Sequence, residues 1–184
     1  KKENIIVFVD SYSLDYIWER QVKLYVSKLV VIDDLANRHH FCDVLIDQTL
    51  NRSKSDYDKY LITPCRFLLG SKYCIIRKQY KKLILSRNKK INILDRLNIS
   101  FGNFDENNLV LKTLKTVDKS NYQFKRIDVF LSKYSKHYKK VEKFKDKSKI
   151  NFNLFSDAKN FPDMLSKSSL CIGAGGTTSW ERGL

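Results

Sequence analysis

Proline and glycine are scarce in this chain, at 2 and 6 of 184 residues, so long disordered stretches are not expected. No run of apolar residues is long enough to cross a bilayer, and the charged start does not resemble a signal peptide. We therefore expect a cytoplasmic protein without a membrane partner. The hydrophobic content of 42% is typical of globular proteins, and the length allows one ordinary domain or two small ones.

The four cysteines are scattered along the chain, with no Cys-x-x-Cys pair and no Cys/His cluster. This spacing argues against a zinc site and against the disulfide framework of a secreted protein. We predict no metal, and thiols that are reduced and mostly buried. They are Cys42, Cys65, Cys74 and Cys171.

The net charge of +15 raises the question of a nucleic-acid partner. The lysines are spread along most of the chain, and the densest stretches, 78–90 and 133–149, lack the aromatic and glycine pattern of a nucleic-acid module. We interpret the lysines as solvated faces and predict no nucleic-acid partner. A small ligand that carries phosphate would also suit the positive field.

Apolar runs alternate with helical patterns, which is typical of a parallel α/β sheet. We predict strands at 4–9, 28–32, 43–46, 66–69, 97–101, 126–131, 150–155 and 170–172. We place the boundary between two domains in the polar stretch near residue 88, giving domains 1–88 and 89–184. The first predicted helix is capped by Asp15 and has Ile17, Trp18, Val22 and Tyr25 on one face. Another has Val110, Leu111, Leu114 and Val117 on one face, and the last is capped by Thr177 or Thr178. The remaining helices are predicted at 78–86, 135–144 and 160–166.

The strongest local signal is the glycine-rich turn between a strand and a helix at residues 171–181. Glycines allow backbone amides to approach a ligand closely, and a helix N-terminus favours an anion such as a diphosphate. A carboxylate in the first helical turn can bind a ribose diol. The alternative is a tight turn with a capped helix. The candidate binding residues are Gly175, Gly176, Thr177, Thr178, Ser179 and Glu181.

Three further loops follow predicted strands, at the edge where open α/β sheets bind ligands. The first contains Gly102 and Asp105, of which Asp105 can bind a ligand or simply cap the next helix. The second contains Tyr12, which can reach a crevice or form an ordinary turn. The third, residues 32–43, combines acidic residues with Arg38 and two histidines. It suits acid–base chemistry or a metal, although its spacing matches no standard site, and the alternative is a solvated loop with a local Asp–Arg ion pair.

Several strings occur in order over nearly the whole chain. The most specific are residues 33–38 (Asp-Asp-Leu-Ala-Asn-Arg) and 173–181 (Gly-Ala-Gly-Gly-Thr-Thr-Ser-Trp-Glu). Together they resemble the UDP-2,4-diacetamido-2,4,6-trideoxy-β-L-altropyranose hydrolase family. The other matching strings are Val9-Asp10-x-Tyr12, Trp18-Glu19, His40-x-Cys42-Asp43, Asp47-Gln48, Tyr57, Cys65-Arg66-x-Leu68-Leu69-Gly70, Tyr73, Ile76-Arg77, and Ser100-Phe101-Gly102 with Asp105-x-x-Asn108-Leu109.

The resemblance implies a GT-B-like fold, with parts of two Rossmann-like domains that have parallel sheets. It implies hydrolysis of a UDP-sugar in pseudaminic acid biosynthesis and flagellin glycosylation, with water displacing UDP at the anomeric carbon. No cofactor or metal is implied, and we expect a monomer. Gly175, Gly176, Thr177, Ser179 and Glu181 match the nucleotide-binding region, and Tyr12 matches a tyrosine near the sugar.

The chain departs from the family pattern at informative places. The histidine taken as the catalytic base matches no position here, so we expect the middle portion of a longer protein, with little turnover alone. Ser11 replaces the usual histidine before Tyr12, Asn103 replaces a second glycine, and His39 replaces a proline. Glycosyl transfer to an acceptor, and a truncated nucleotide-binding module, remain alternatives to hydrolysis.

Overall fold

The computed structural model describes residues 3–80, 94–157, 159 and 161–183. The chain divides into two compact units, Lys1–Ile75 and Ile76–Leu184, and each contains a four-stranded parallel sheet. The predicted α/β class with parallel, Rossmann-like sheets is therefore confirmed. The domain boundary predicted near residue 88, and most of the helix predicted at 78–86, lie outside the described residues. No helix in the described ranges is long and apolar enough to span a membrane.

The first unit has its four strands in sequential order. They are β1 (Glu3–Val9), β2 (Val26–Ile32), β3 (Val44–Asp47) and β4 (Arg66–Leu69), with helix α1 (Tyr16–Val22) between β1 and β2. Two short 3-10 helices, Lys54–Tyr57 and Ser71–Tyr73, flank β4. The β2–β3 crossover contains no helix, so the motif at 33–43 itself forms the connection between two adjacent parallel strands.

Helix α1 begins where the sequence predicts, because the Asp15 carboxylate accepts hydrogen bonds from the N–H groups of Ile17 and Trp18. Trp18 packs on the core of the unit, but Ile17 is half-exposed. Tyr25 lies beyond the end of the helix and is exposed, so its predicted place on the helix face is wrong. The residue of α1 that is fully buried is Glu19.

The first described strand of the second unit is the inner strand β5 (Arg96–Ser100). Next along the chain are α2 (Leu109–Lys119), β6 (Arg126–Phe130), α3 (Tyr138–Lys145), β7 (Asn153–Phe155), α4 (Phe161–Ser166), β8 (Leu170–Gly173) and α5 (Thr177–Arg182). The sheet order is β7-β6-β5-β8, so β6 and then β7 lie on one side of β5, and β8 pairs with β5 on its other side. The strand order therefore reverses between β5 and β8, which is a topological switch point.

The apolar period of α2 correctly predicts its buried face, Val110, Leu111, Leu114 and Val117. Two helix starts differ from the prediction. Helix α2 begins at Leu109 rather than near residue 106, since Asp105 and Asn108 have left-handed φ angles of 46° and 55°. Helix α3 begins at Tyr138 rather than 135, after the turns at 133–137.

Helix α5 is capped differently from the prediction. Its N-cap is Gly176, with a φ of 108°, so Thr177 and Thr178 lie in the first turn and do not cap the helix. A residue with a side chain adopts this φ only at a cost, which explains the glycine at that position.

Candidate functional site

The structure brings two of the predicted loops together at the switch point. Strands β5 and β8 pair in parallel, and their last paired residues are Ser100 and Gly173. The loop with Gly102 and the loop with Gly175 and Gly176 therefore leave neighbouring strands at the same edge of the sheet. In open α/β sheets this edge is where ligands bind.

The glycines of the loop after β8 have distinct structural roles. A Cβ at Gly173 would overlap the Ser100 carbonyl oxygen and the Arg182 guanidinium, so only glycine fits against β5. Gly175 and Gly176 are exposed, and a Cβ at either would meet nothing within 4 Å. Their backbone is therefore open to an incoming group, as a diphosphate site requires.

The first turn of α5 supplies hydroxyl groups to the same loop. Ser179 donates to the Ala174 carbonyl over 3.2 Å and accepts a hydrogen bond from Arg182 over 3.0 Å. Its hydroxyl thus fixes the shape of the loop. Thr177 is exposed and Thr178 is half-buried, and both lie in this first turn.

Glu181 is the fifth residue of α5, so its predicted place in the first turn is wrong. It is buried, and its two carboxylate oxygens accept hydrogen bonds from Arg77 over 2.7 and 2.9 Å. Arg77 also donates to the Tyr80 hydroxyl over 2.9 Å and lies over its ring. Burial, and then the Glu181 charge, raise the pKa of Tyr80 to about 12, so this phenol remains neutral beside the ion pair.

Asp105 is buried, and its oxygens accept hydrogen bonds from the N–H groups of Leu109 and Val110 over 2.8 and 2.9 Å. The contacts thus favour the capping alternative for this residue. Gly102, with a φ of 86°, is exposed at the edge. Asn103 is not left-handed, and its carbonyl accepts a hydrogen bond from Ser132 in the loop after β6.

At the corresponding edge of the first sheet, Tyr12 and the 33–43 motif come together. Tyr12 follows β1, and its hydroxyl donates to Asp34, which follows the neighbouring strand β2, over 2.6 Å. The guanidinium of Arg38 lies 5.3 Å from the centre of the Tyr12 ring. Arg38 also pairs with Asp33 over 3.1 Å.

Behind this edge lies a buried network of charged groups centred on His40. Its Nδ1 lies 2.9 Å from the Glu19 carboxylate and its Nε2 lies 3.8 Å from Asp33, which is too long for a hydrogen bond. The Tyr57 hydroxyl has one proton, which it shares between an oxygen of Asp47 at 2.7 Å and an oxygen of Asp33 at 3.0 Å. The Asp–Arg ion pair predicted for this motif exists. Asp33, His40 and Cys42 are buried, whereas Leu35, Asn37 and His39 are exposed, so only part of the motif is the predicted solvated loop.

The network shifts the pKa values of its members in opposite directions. Burial alone would lower the pKa of His40, but Asp33 and Glu19 outweigh it and raise the pKa to about 9. Burial alone would raise the pKa of Asp33, but His40 and the backbone N–H of Ala36 outweigh it and lower the pKa to about 2. At neutral pH the imidazole is therefore a cation held by carboxylates.

None of the described residues forms a group of three or more His, Cys, Asp or Glu side chains arranged to hold a metal ion. The carboxylates around His40 are engaged by hydrogen bonds and ion pairs instead. The four cysteines form no disulfide, and Cys42 is buried while the other three are half-buried.

Part of each site has no local sequence signal. Arg77 was not predicted as the partner of Glu181, because 104 residues separate the two. Glu19, Tyr57 and Asp47 were noted only for their place in matching strings. One signal was available, since Glu19 interrupts the apolar face of α1 beside Trp18.

Comparison with known proteins supports the resemblance seen in the motifs. The chain is 28% identical over 169 residues to the UDP-2,4-diacetamido-2,4,6-trideoxy-beta-L-altropyranose hydrolase of Campylobacter jejuni subsp. jejuni. The match covers 91% of this chain but only 58% of that relative's length. No family model matches the chain.

Proposed function

Starting from this relative, we propose that the protein containing this chain hydrolyses a UDP-linked 2,4-diacetamido-2,4,6-trideoxy sugar, releasing UDP and the free sugar for pseudaminic acid biosynthesis. The observation that supports it best is the pair of loops that meet at the β5–β8 switch point. The relative's name supplies the class of reaction and of substrate.

In this proposal the second unit binds the nucleotide. The diphosphate lies against the open backbone of Gly175 and Gly176, with the hydroxyls of Thr177 and Thr178 as further donors. As water displaces UDP at the anomeric carbon, negative charge grows on the departing diphosphate. Donors fixed in advance stabilise that charge more than they stabilise the ground state. The net charge of +15 adds a favourable field.

Glu181 contributes to ribose binding together with Arg77. Arg77 donates to both Glu181 oxygens, and it is the half-exposed member of the pair, whereas the Glu181 side chain is 2% exposed, so the pair meets an incoming ribose through the guanidinium. Gly102 and the Asp105-capped loop complete the nucleotide-binding edge from the β5 side.

We assign no general base to the histidines of this chain, because His40 is fully buried and ion-paired and neither His39 nor His137 matches the family's histidine. A missing base typically costs ~10²–10⁴-fold in rate. We therefore expect the 184-residue chain to bind UDP but to release little UDP from a UDP-sugar.

The first test is titration of the 184-residue chain with UDP in a calorimeter. We expect saturable binding that Glu181→Ala weakens at least about tenfold, a loss of ~1.4 kcal/mol. The matched control is Glu142→Ala, which removes an exposed carboxylate from α3 in the same unit and should leave the affinity unchanged. Absence of UDP binding to a folded chain, or equal effects of the two variants, would contradict the nucleotide assignment.

The second test separates hydrolysis from glycosyl transfer, the alternative that the same loops permit. UDP release by the longer parent protein is measured with and without acceptor sugars. Hydrolysis predicts the same rate in both cases, with water as the acceptor. A rate that depends on an added acceptor would identify a transferase.

A further inference from the structure

Two of the four cysteines lie side by side where neighbouring strands of the first unit begin. Cys42 precedes β3 by two residues, and Cys65 is the residue before β4. Both side chains pack into the same hydrophobic core, in which Cys42 is buried and Cys65 is half-buried. The Cys42 thiol donates a hydrogen bond to the sulfur of Cys65. Two thiols that are distant in sequence are therefore direct neighbours in the fold.

The pairing of β3 with β4 puts these cysteines at a distance that a disulfide can span. Val44 lies opposite Arg66, and the Arg66 N–H donates to the Asp43 carbonyl over 2.8 Å. One residue earlier, the same register places Cys65 opposite Asp43, which directly follows Cys42. Adjacent strands lie ~4.8 Å apart and each residue advances ~3.3 Å, so the diagonal from Cys42 to Cys65 is about 5.8 Å between Cα atoms. Disulfides join Cα atoms that are roughly 4.4–6.8 Å apart.

The surroundings make Cys65 the more reactive sulfur of the pair. The hydrogen bond from Cys42 lowers the pKa of the Cys65 thiol, and the positive charges of His40 and Lys54 lower it further, although burial acts against them. The hydrogen bond to Cys65, followed by burial, raises the pKa of Cys42. Oxidants react with the thiolate, so an accessible cysteine of low pKa beside a second cysteine is typical of redox-sensitive sites. Here solvent reaches Cys65, and the protonated Cys42 lies behind it.

From this geometry we propose that Cys42 and Cys65 are a redox-sensitive pair, which a peroxide converts to a reversible disulfide with Cys65 as the sulfur that is oxidised first. The site belongs to the first unit alone and requires no nucleotide, so it is independent of the proposed function.

The reaction balances with hydrogen peroxide as the oxidant. The Cys65 thiolate attacks one peroxide oxygen, so an S–O bond forms, the O–O bond breaks, and the hydroxide that leaves takes up the proton released by Cys65. The Cys42 sulfur then attacks the Cys65 sulfur, so the S–S bond forms, the S–O bond breaks, and the second hydroxide leaves with the Cys42 proton. Two thiols thus lose two electrons and two protons, and one peroxide becomes two waters.

The disulfide would close the segment between β3 and β4, which holds part of the buried network. This segment carries Arg52, the ion-pair partner of Asp47, and Tyr57, whose hydroxyl bonds to Asp47. A cross-link that closes a loop restricts the unfolded chain and so favours the folded state. Oxidation should therefore raise the urea concentration at which the first unit unfolds, and reduction should restore the original midpoint.

The first experiment treats the unaltered 184-residue chain, reduced and then freed of reductant, with hydrogen peroxide at neutral pH. The remaining thiols are alkylated in denaturant before the intact mass and a peptide map are recorded. We expect the chain to lose two hydrogens, to give one peptide in which Cys42 and Cys65 are cross-linked, and to recover its mass with dithiothreitol. The control is the same treatment in urea, where the preference for this pair should disappear because the fold no longer holds the thiols together.

The second experiment separates the roles of the two sulfurs. In Cys42→Ser no second thiol traps the oxidised Cys65, so we expect a sulfenic acid there that dimedone captures. In Cys65→Ser the oxidation of Cys42 should slow at least about tenfold, because Cys42 is buried and keeps its proton. Cys74→Ser is the control, since it removes a half-buried cysteine of the same unit and should leave the cross-link unchanged.

The first experiment decides the proposal without any substitution, so a variant that fails to fold does not affect it. A reversible link between Cys42 and Cys65 that forms in the folded chain and not selectively in urea supports the pair. Cross-links spread over the four cysteines or formed between chains overturn it. It is also overturned if Cys65 proceeds to the sulfinic acid while Cys42 stays reduced.

Discussion

Arg77 donates to both carboxylate oxygens of Glu181 across 104 residues of sequence, and the Glu181 side chain is only 2% exposed. Removing the arginine leaves a buried carboxylate without its cation, which is more costly than losing the ion pair as a whole. Because the Arg77 side chain is 51% exposed, solvent reduces the effect. We expect Arg77→Met to lower the free energy of unfolding of the second unit by about 1–3 kcal/mol.

The measurement uses the two tryptophans of the chain, Trp18 in the first unit and Trp180 in the second. In a Trp18→Phe background, fluorescence during urea unfolding reports the second unit alone. Glu181→Gln should partly rescue Arg77→Met, because the amide no longer buries a charge. Strict additivity of the two substitutions would show that the pair is not coupled.

Whether a feature of the fold or of the candidate site could be predicted from the sequence depends on how far apart along the chain the interacting residues lie. Period and capping residues predict α2 and α1, because both depend on residues within one or two turns. The switch point follows from the order of strands, and loops at strand ends correctly indicate its edge. The partners of Glu181 and His40 depend on how distant segments pack, and no local pattern encodes that. The start of α2 was missed because left-handed Asp105 and Asn108 delay it.

Gly173 and Gly175 form a matched pair for testing the tight turn after β8. A methyl group at Gly173 would overlap the Ser100 carbonyl and the Arg182 guanidinium, whereas one at Gly175 meets nothing within 4 Å. We expect Gly173→Ala to destabilise the second unit by about 1–3 kcal/mol through overpacking. Gly175→Ala should have little effect on stability. Urea unfolding followed by Trp180 checks both, and equal unfolding midpoints would contradict the close approach of β8 to β5.

Tyr57 links two buried carboxylates through one hydroxyl group. Tyr57→Phe removes the hydrogen bonds to Asp33 and Asp47 while keeping the ring, so the cost reports the polar contacts. An unsatisfied buried acceptor typically costs about 1–3 kcal/mol, and we expect a loss of that size in the first unit. Tyr134→Phe is the control, because this ring is 90% exposed in the other unit. The measurement is urea unfolding followed by Trp18 in a Trp180→Phe background.

The same substitution tests whether the buried network supports Tyr12. The hydrogen bond to Asp34 is the main reason that the pKa of Tyr12 is raised to about 12. If Asp33 and Asp47 hold the loop that carries Asp34, Tyr57→Phe should therefore lower the pKa of Tyr12. A folded Tyr57→Phe variant with an unchanged Tyr12 titration would show that the buried network does not influence the hydrogen bond between Tyr12 and Asp34. Tyr57 would then be a residue of the core only.

His40 makes the stability of the first unit depend on pH in a direction that follows from its partners. Glu19 and Asp33 raise its pKa to about 9 in the folded chain, above the ordinary value of 6.5. The folded state therefore binds the proton more tightly than the unfolded state does. This contribution is fully present below pH 6.5 and is lost as the pH rises to 9, with a total on the order of 3 kcal/mol.

The opposite shift of Asp33 acts in a separate window. Its pKa is lowered to about 2, so its contribution is present above pH 4 and is lost as the pH falls towards 2. Unfolding followed by Trp18 should thus show a maximum of stability between about pH 4 and 6.5. Glu19→Gln removes the carboxylate that lies 2.9 Å from His40. It should therefore flatten the alkaline side and leave the acid side in place. A profile that stays equally steep above pH 6.5 would mean that the decline does not come from the Glu19–His40 pair.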